Sequence, residues 1–162
     1  SLLQERNDLR KEIEQLHLKQ AAGVKEQLKG QFIEKEGKQI LIASVELPNA
    51  DSLKKLVYEL KNEVSKACIV LAATISNTPQ VAVFIDESLL ETTKLHAGNL
   101  VRELAKEIQG GGGGQPFFAT AGGKDLAGLP KVVAKAFVFC LYGALKSKVT
   151  LGNWVLFCWC LS

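Results

Sequence analysis

Two glycine-rich segments are the part of this sequence best suited to chemistry with a ligand. The first is the run Gly110–Gly114, and the second is the pair Gly122-Gly123, which Lys124 follows directly. Consecutive glycines leave main-chain N–H and C=O groups uncovered, so that another molecule can approach the backbone closely. The pair lies where a helix is predicted to begin, and free N–H groups at a helix start attract anions. We therefore predict that both segments contact a sugar-phosphate chain, with Arg102 and Gln115 beside them.

The position of the first run argues against a nucleotide-binding loop of the Rossmann or P-loop kind. Those loops lead from a strand into a helix, whereas Gly110–Gly114 follow a predicted helix C-terminus, where the helix dipole repels anions. The run is also not followed by the Gly-Lys-Ser/Thr of a P-loop. Two structural alternatives stay open, namely a tight turn with close helix–strand packing, and a flexible linker. The linker is the weaker alternative, because ordered patterns resume on both sides of the run.

No catalytic or metal-binding constellation is apparent in the sequence. His17 lies in a charged helix and His96 precedes a predicted helix start, so both are expected to be structural or solvated. Cys158 and Cys160 have no histidine near them, and their spacing alone does not make a zinc site. We predict that this chain has no catalytic residue, no metal site and no cofactor.

The composition indicates a globular chain rather than a disordered or membrane-spanning one. Of 162 residues, 47% are hydrophobic and 23% are charged, which is ample for a core. The net charge of +3 permits contact with nucleic acid without requiring it. The charged start is unlike a signal peptide, and no apolar run reaches the roughly 18 to 20 residues of a membrane span. The absence of Met indicates a fragment or a processed chain, and the four cysteines are expected to be free thiols in the cytoplasm.

Residues 1–29 are predicted to form a helical arm. Leu2, Leu9 and Leu16 recur at seven-residue spacing, and Ile13 follows Leu9 by four positions. This pattern is a narrow apolar seam of the coiled-coil type. Two interpretations are equally open, because the stripe is thin for a core helix: the arm packs on its own domain, or it pairs with another helix.

Helices and strands alternate through residues 30–136. The predicted elements are a strand at Gln39–Leu47, a helix capped by Asp51 or Ser52, a strand at Ala67–Ile75, a hairpin turn at Asn77–Gln80, a helix at Ala97–Gln109, a short strand in PFFATA and a helix starting near Asp125. This alternation predicts a layered α/β domain. Residues 137–162 are apolar, rich in Cys and Trp and without clear periodicity, and are interpreted as an atypical tail or an extra hairpin.

The same glycine segments carry a resemblance to a known family. The stretch GGGGGQPFFATAGGK resembles the signature of DHHA1 domains, which is a glycine cluster, a short apolar strand and an Ala-x-Ala-Gly-Gly turn into a helix. The preceding HAGNLVRELAKEIQ resembles the helix that leads into this signature in the C-terminal domain of alanyl-tRNA synthetases. Residues 1–29 resemble the end of the long helical segment of those enzymes. The chain departs from the pattern at Gln115, where many members have Arg, and in the tail after Ala136.

The resemblance implies a DHHA1-like mixed sheet preceded by a helical arm, and a non-catalytic role within an alanine–tRNA ligase. The domain would bind the elbow of alanine tRNA, support homodimerisation through the arm and help bring the aminoacylation and editing centres to one tRNA. ATP and zinc would be bound only by domains outside this chain. The expected RNA-binding residues are Arg102, Gly110, Gly111, Gly112, Gly113, Gly114, Gln115, Gly122, Gly123 and Lys124.

Two other functions remain open. The chain could be the DHHA1 substrate-binding half of a DHH-type phosphoesterase that acts on nucleotides or short oligonucleotides, although the helical arm favours a synthetase. It could also be a helix-mediated interaction domain without a role in RNA binding.

Overall fold

A computed structural model of the protein describes residues 1–142, apart from the side chains of Leu18, Ala21, Thr93, Leu141 and Tyr142. The helices are α1 (Leu2–Lys29), α2 (Ala50–Glu63), α3 (Glu87–Thr93), α4 (Ala97–Glu107) and α5 (Leu129–Tyr142), with a 3-10 turn at Leu126–Gly128 before the last. The strands are β1 (Ile33–Lys35), β2 (Lys38–Glu46), β3 (Ala67–Ile75), β4 (Thr78–Ile85), β5 (Gly111–Gly114) and β6 (Phe118–Gly122). They form one sheet in the order β1-β2-β3-β4-β6-β5. Only β2 and β3 are parallel, and the other neighbouring strands are antiparallel.

The sheet has a helical layer on each face, and β3 is buried on both. Its residues alternate between the two layers because successive side chains of a strand point to opposite faces. Val70 lies in the cluster formed with α4 and α5, while Ile69 and Leu71 lie in the cluster formed with α2. The continuous apolar run predicted a strand covered on both faces, and the structure confirms that prediction.

Helix α2 has the buried face that its spacing predicts, but a different cap. Leu53, Leu56 and Leu60 are buried against the sheet. The cap is Asn49, whose side-chain oxygen accepts a hydrogen bond from the Ser52 N–H at 2.7 Å. The predicted cap at Asp51 or Ser52 is therefore wrong, because the extended Asn49 already satisfies the first turn of the helix.

The turn between β3 and β4 comes earlier than predicted. Ser76 and Asn77 both have left-handed backbone angles, with φ of 49° and 61°. Two successive residues of this conformation match the twist of antiparallel strands. Thr78 and Pro79, which were placed in the turn by the prediction of Asn77–Gln80, already belong to β4.

The helical arm forms as predicted, and only its base packs on the domain. Leu28 is buried in the α2 cluster with 3% of its surface exposed. The residues of the apolar seam are instead 51% to 84% exposed; they are Leu2, Leu9, Ile13 and Leu16. Within residues 1–142, the seam therefore has no partner from its own domain.

The last described helix passes beyond the predicted boundary at residue 136. The Asp125 side chain caps a 3-10 turn by accepting from the Ala127 N–H at 3.0 Å, and α5 follows with Pro130 in its first turn. Ala136 and Cys140 are both buried in the core. The rest of the predicted tail, residues 143–162, lies outside the described residues. Within residues 1–142, no helix is both long and apolar enough to span a membrane.

Candidate functional site

Four residues of the five-glycine run, Gly111–Gly114, form a β-strand at the edge of the sheet. In β5, Gly111 lies opposite Gly122 of β6, and Gly113 lies opposite Thr120. The two glycine-rich segments are therefore neighbours, because the chain reverses between them in a β-hairpin. The strand order leaves β5 as an outer strand.

Close packing explains three of the five glycines. A Cβ atom at Gly110 or Gly112 would collide with the Gly122 or Thr120 carbonyl oxygen of β6, respectively. A Cβ at Gly114 would lie 2.5 Å from the carbonyl oxygen of Phe118, the first residue of β6. Any side chain at these three positions would force β5 and β6 apart.

The other two glycines have room for a side chain. A Cβ at Gly111 would have no heavy atom within 4 Å, and one at Gly113 would lie 3.8 Å from the Arg102 guanidinium, which is ordinary contact. Neither residue has a left-handed backbone. Neither folding sterics nor backbone conformation therefore requires glycine at these two positions.

The open edge of β5 presents main-chain groups. The Gln115 N–H donates to the Phe118 carbonyl at 2.8 Å. Because facing residues in an antiparallel ladder alternate between bonded and non-bonded pairs, Gly112 and Gly114 direct their N–H and C=O groups away from β6. The Gly114 carbonyl lies 3.3 Å from a Cβ placed on Gly98 of α4, so α4 covers that end of the edge. Gly112, which is exposed, is the main-chain contact point that remains.

The second glycine segment differs from its prediction. The Gly123 N–H donates to the Pro79 carbonyl at 2.9 Å, and the Lys124 N–H donates to the Ile108 carbonyl, also at 2.9 Å. The expectation of free N–H groups at these two positions is wrong, because the first bonds to a carbonyl of β4 and the second to a carbonyl at the end of α4. Gly123 is buried, while Gly122 and the Lys124 side chain are exposed.

Helix α4 adds a shallow cleft beside β5, and of its lining only Arg102 and Gly114 were predicted as contact residues. Its volume is about 170 Å³, and it is lined by His96, Gly98, Asn99, Arg102, Gly114 and Pro116. The Ala97 N–H donates to the Pro116 carbonyl at 2.8 Å, which ties the hairpin turn to the start of α4. His96 precedes the helix without a side-chain capping bond. The only signal in the sequence was the cluster of polar residues in HAGN.

The charges around β5 are positive and few. Within the described part of the chain, neither Arg102 nor Lys124 forms an ion pair with an acidic side chain. The nearby Glu103 accepts a hydrogen bond from Lys106 at 2.6 Å, and this bond lowers the pKa of Glu103. Its negative charge is thus balanced locally. Among residues 1–142, no three His, Cys, Asp or Glu side chains converge on a point that could hold a metal ion.

The domain is an α/β domain with a six-stranded mixed sheet. Its sheet ends in a glycine strand, lies between two helical layers and is preceded by a long helical arm. The chain belongs to the DHHA1 domain family, which matches residues 37–140. The family match thus runs four residues beyond the boundary at 136 that the sequence analysis predicted.

Two alanine–tRNA ligases illustrate the similarity. The enzyme of Cytophaga hutchinsonii is 42% identical over 136 residues, which cover 83% of this chain and 15% of the relative. The enzyme of Christiangramia forsetii is 40% identical over 138 residues, which cover 85% of this chain and 16% of the relative. The chain thus spans about one sixth of the length of these curated relatives.

The fold is similar to that of the C-Ala domain from Aquifex aeolicus alanyl-tRNA synthetase. The TM-score is 0.56 at 21% identity, and the match covers 64% of this chain and 91% of that structure. The predicted resemblance and the predicted fold class are confirmed.

Proposed function

We propose that this chain is the tRNA-binding module of an alanine–tRNA ligase, and that β5 and its flanking side chains dock on the elbow of alanine tRNA. The observation that carries the proposal is the pair Gly111 and Gly113, which are glycine although the fold leaves space for a side chain. A ligand that lies against the strand explains why both positions are bare. The similarity to alanine–tRNA ligases supports tRNA as that ligand.

The chemistry of β5 suits the surface of a tRNA elbow. Looped RNA presents unpaired bases, phosphates and 2′-hydroxyls, which proteins recognise by shape and close contact. The exposed N–H and C=O of Gly112 can pair with hydroxyls or base edges. Arg102 and Lys124 supply positive charge for phosphates, and the exposed Gln115 amide can donate or accept. The Gly123 N–H bonds to the Pro79 carbonyl and does not reach the RNA. Gly123 instead allows the chain to pack closely against Ile108, which positions Lys124.

The sharpest test of this proposal uses Gly111. We expect Gly111→Val to weaken the binding of alanine tRNA by the full 162-residue chain with an unchanged melting temperature, because the added side chain meets only the ligand. Gly23→Ala is the control, because Gly23 lies on the arm and also has no atom within 4 Å of an added Cβ. Wild-type affinity of Gly111→Val would remove the main support for the proposal.

The part of the tRNA that is contacted is tested separately. Changes in the unpaired elbow bases should weaken binding, and changes in the acceptor stem should not. Lys124→Glu should weaken binding without unfolding the domain and should lower the salt dependence by roughly one phosphate contact. Lys131→Glu makes the same charge change on the exposed surface of α5 and should have a smaller effect. A dominant effect of the acceptor stem would contradict elbow binding.

The arm supports homodimerisation in this proposal. Its seam of leucines and Ile13 is exposed, and an apolar stripe at seven-residue spacing is typical of helix pairing. Sedimentation equilibrium should show self-association of the chain that Leu9→Asp combined with Ile13→Asp abolishes. A monomeric unaltered chain at high concentration would refute this part alone.

In the complete ligase, the domain would help deliver one tRNA to the aminoacylation and editing centres in the cytoplasm, while ATP and zinc are bound elsewhere. The phosphoesterase alternative predicts that short oligonucleotides bind as tightly as intact tRNA. The ligase role predicts a large preference for folded tRNA, and competition titrations distinguish the two.

A further inference from the structure

A second surface with the chemistry of nucleic-acid recognition lies on α2, on the opposite face of the sheet from α4. Lys54, Tyr58 and Lys61 are spaced by four and three residues, so they lie on one stripe of the helix. All three are exposed. Together with Phe118 of β6 they are called the Tyr58 surface below.

The aromatic part of this surface is held in place by stacking. The Tyr58 and Phe118 rings lie 5.4 Å apart at an interplanar angle of 30°. Phe118 lies opposite Phe84 in the β4–β6 ladder, and the Lys61 Nζ lies 5.1 Å from the centre of the Phe84 ring. Tyr58 keeps 44% of its surface exposed and is the one exposed aromatic side chain among the described residues. An ordered ring therefore faces solvent.

The positive charges of Lys54 and Lys61 are not balanced by the glutamates of α2, because those glutamates pair with the arm. Glu59 and Glu63, on another side of α2, pair with lysines of α1. Within residues 1–142, Lys54 and Lys61 form no ion pair with an acidic side chain. Asp51, in the first turn, is the acidic side chain of α2 that remains. The stripe around Tyr58 therefore has a positive excess.

The Tyr58 surface adjoins the glycine strand through the β5–β6 turn. The Phe118 carbonyl accepts from the Gln115 N–H at 2.8 Å and lies 2.5 Å from the Cβ position of Gly114. Phe118 is thus one strand away from β5, and adjacent strands are about 4.8 Å apart. A polynucleotide on the edge of β5 can reach α2 around this end of the hairpin.

We propose that the Tyr58 surface receives an unpaired base of the bound tRNA, which stacks on Tyr58 while Lys54 and Lys61 contact the flanking phosphates. The proposal rests on the proposed function and adds a contact site to it. Aromatic rings flanked by basic side chains bind single-stranded segments because every base has a π-face and every linkage has a charge. Charge complementarity and continuity with β5 favour RNA as the occupant over an apolar protein surface.

The test compares substitutions of Tyr58 in the full chain. Tyr58→Leu removes the ring and should weaken alanine tRNA binding by about 5- to 150-fold, the range found for the loss of one stacked base. Tyr58→Phe keeps the ring and should bind within about twofold of the unaltered chain. Thermal unfolding of both variants controls for damage to the fold, and 5-iodouridine placed in the elbow loops should photocrosslink to Tyr58.

The lysines give a second readout. Lys54→Gln and Lys61→Gln should each lower the slope of log affinity against log salt by about one phosphate contact. Lys131→Gln is the matched control, because Lys131 is exposed on α5, which packs on the opposite face of the sheet. An equal reduction by Lys131→Gln would overturn the role of the two α2 lysines.

The outcomes separate this inference from the proposed function. If Gly111→Val weakens tRNA binding and Tyr58→Leu does not, Tyr58 does not stack on a base of the tRNA and the inference is overturned alone. If the unaltered chain does not bind tRNA, both proposals fail. Weakening by both variants, with retention by Tyr58→Phe, supports both.

Discussion

The β5–β6 hairpin and the helical arm are held to the domain in opposite ways. In the hairpin, main chain lies against main chain, and three glycines leave no space for even one methyl group. The arm is joined at its base, by the buried Leu28, the partly buried Val24 and ion pairs of Lys25 and Lys29 with Glu59 and Glu63. The two regions therefore differ in how they tolerate substitutions. The hairpin depends on close main-chain packing between β5 and β6, and the docking of the arm depends on a few side chains.

The largest expected effect tests the fit of the hairpin. Gly112→Val should lower the free energy of unfolding by about 3 kcal/mol or more, because its Cβ collides with the Thr120 carbonyl and Ala121. Gly111→Ala should change it by no more than about 0.5 kcal/mol. Urea unfolding followed by circular dichroism measures both variants. Equal losses would show that the strand, and not individual positions, requires glycine.

A smaller effect is expected at the base of the arm. Leu28→Ala should cost about 2 to 4 kcal/mol of unfolding free energy, because it leaves a cavity between α1 and α2. Leu9→Ala, at a site that is 58% exposed in the single chain, should change it by less than about 0.5 kcal/mol at protein concentrations too low for the arms to pair. The same urea titration gives both values. A large loss for Leu9→Ala would mean that the seam is covered, as in a stable dimer.

The smallest effect is electrostatic and depends on pH. Hydrogen bonds from Lys25 and Lys29 lower the pKa of Glu63 below its ordinary value of 4.5. The ionised form therefore stabilises the docked arm above pH 4.5, and this contribution is lost as the pH falls through the lowered pKa. Glu63→Gln should remove that dependence, and added salt should weaken it because these side chains are exposed.

Hydrogen exchange of the amides near the base of α1 measures this effect. Glu91→Gln on α3 is the control, because Glu91 makes no ion pair within the described residues. Unchanged protection in Glu63→Gln across the acidic range would show that the Glu63 ion pairs do not stabilise the docked arm.

Local patterns were sufficient to predict most elements of the fold. The arm and the buried face of α2 followed from hydrophobic periodicity, and the span of β3 followed from a continuous apolar run; both are properties of neighbouring residues. Caps and turns were less predictable, because several polar residues near each end are suitable. Asn49 and Asp51 are both good caps, and only the extended backbone at Asn49 selects the first.

The sequence by itself determined the family, the order of the elements and the two glycine segments as candidate contact regions. The tertiary structure alone decided which glycines are required by packing and which have room for a side chain, since that depends on how β5 lies against β6. It also showed that the main-chain N–H groups of Gly123 and Lys124 are not free to bind an anion, because they bond to carbonyls of Pro79 and Ile108. The physical reason is the same in each case: main-chain contacts between distant segments leave no periodic signal in the amino-acid sequence.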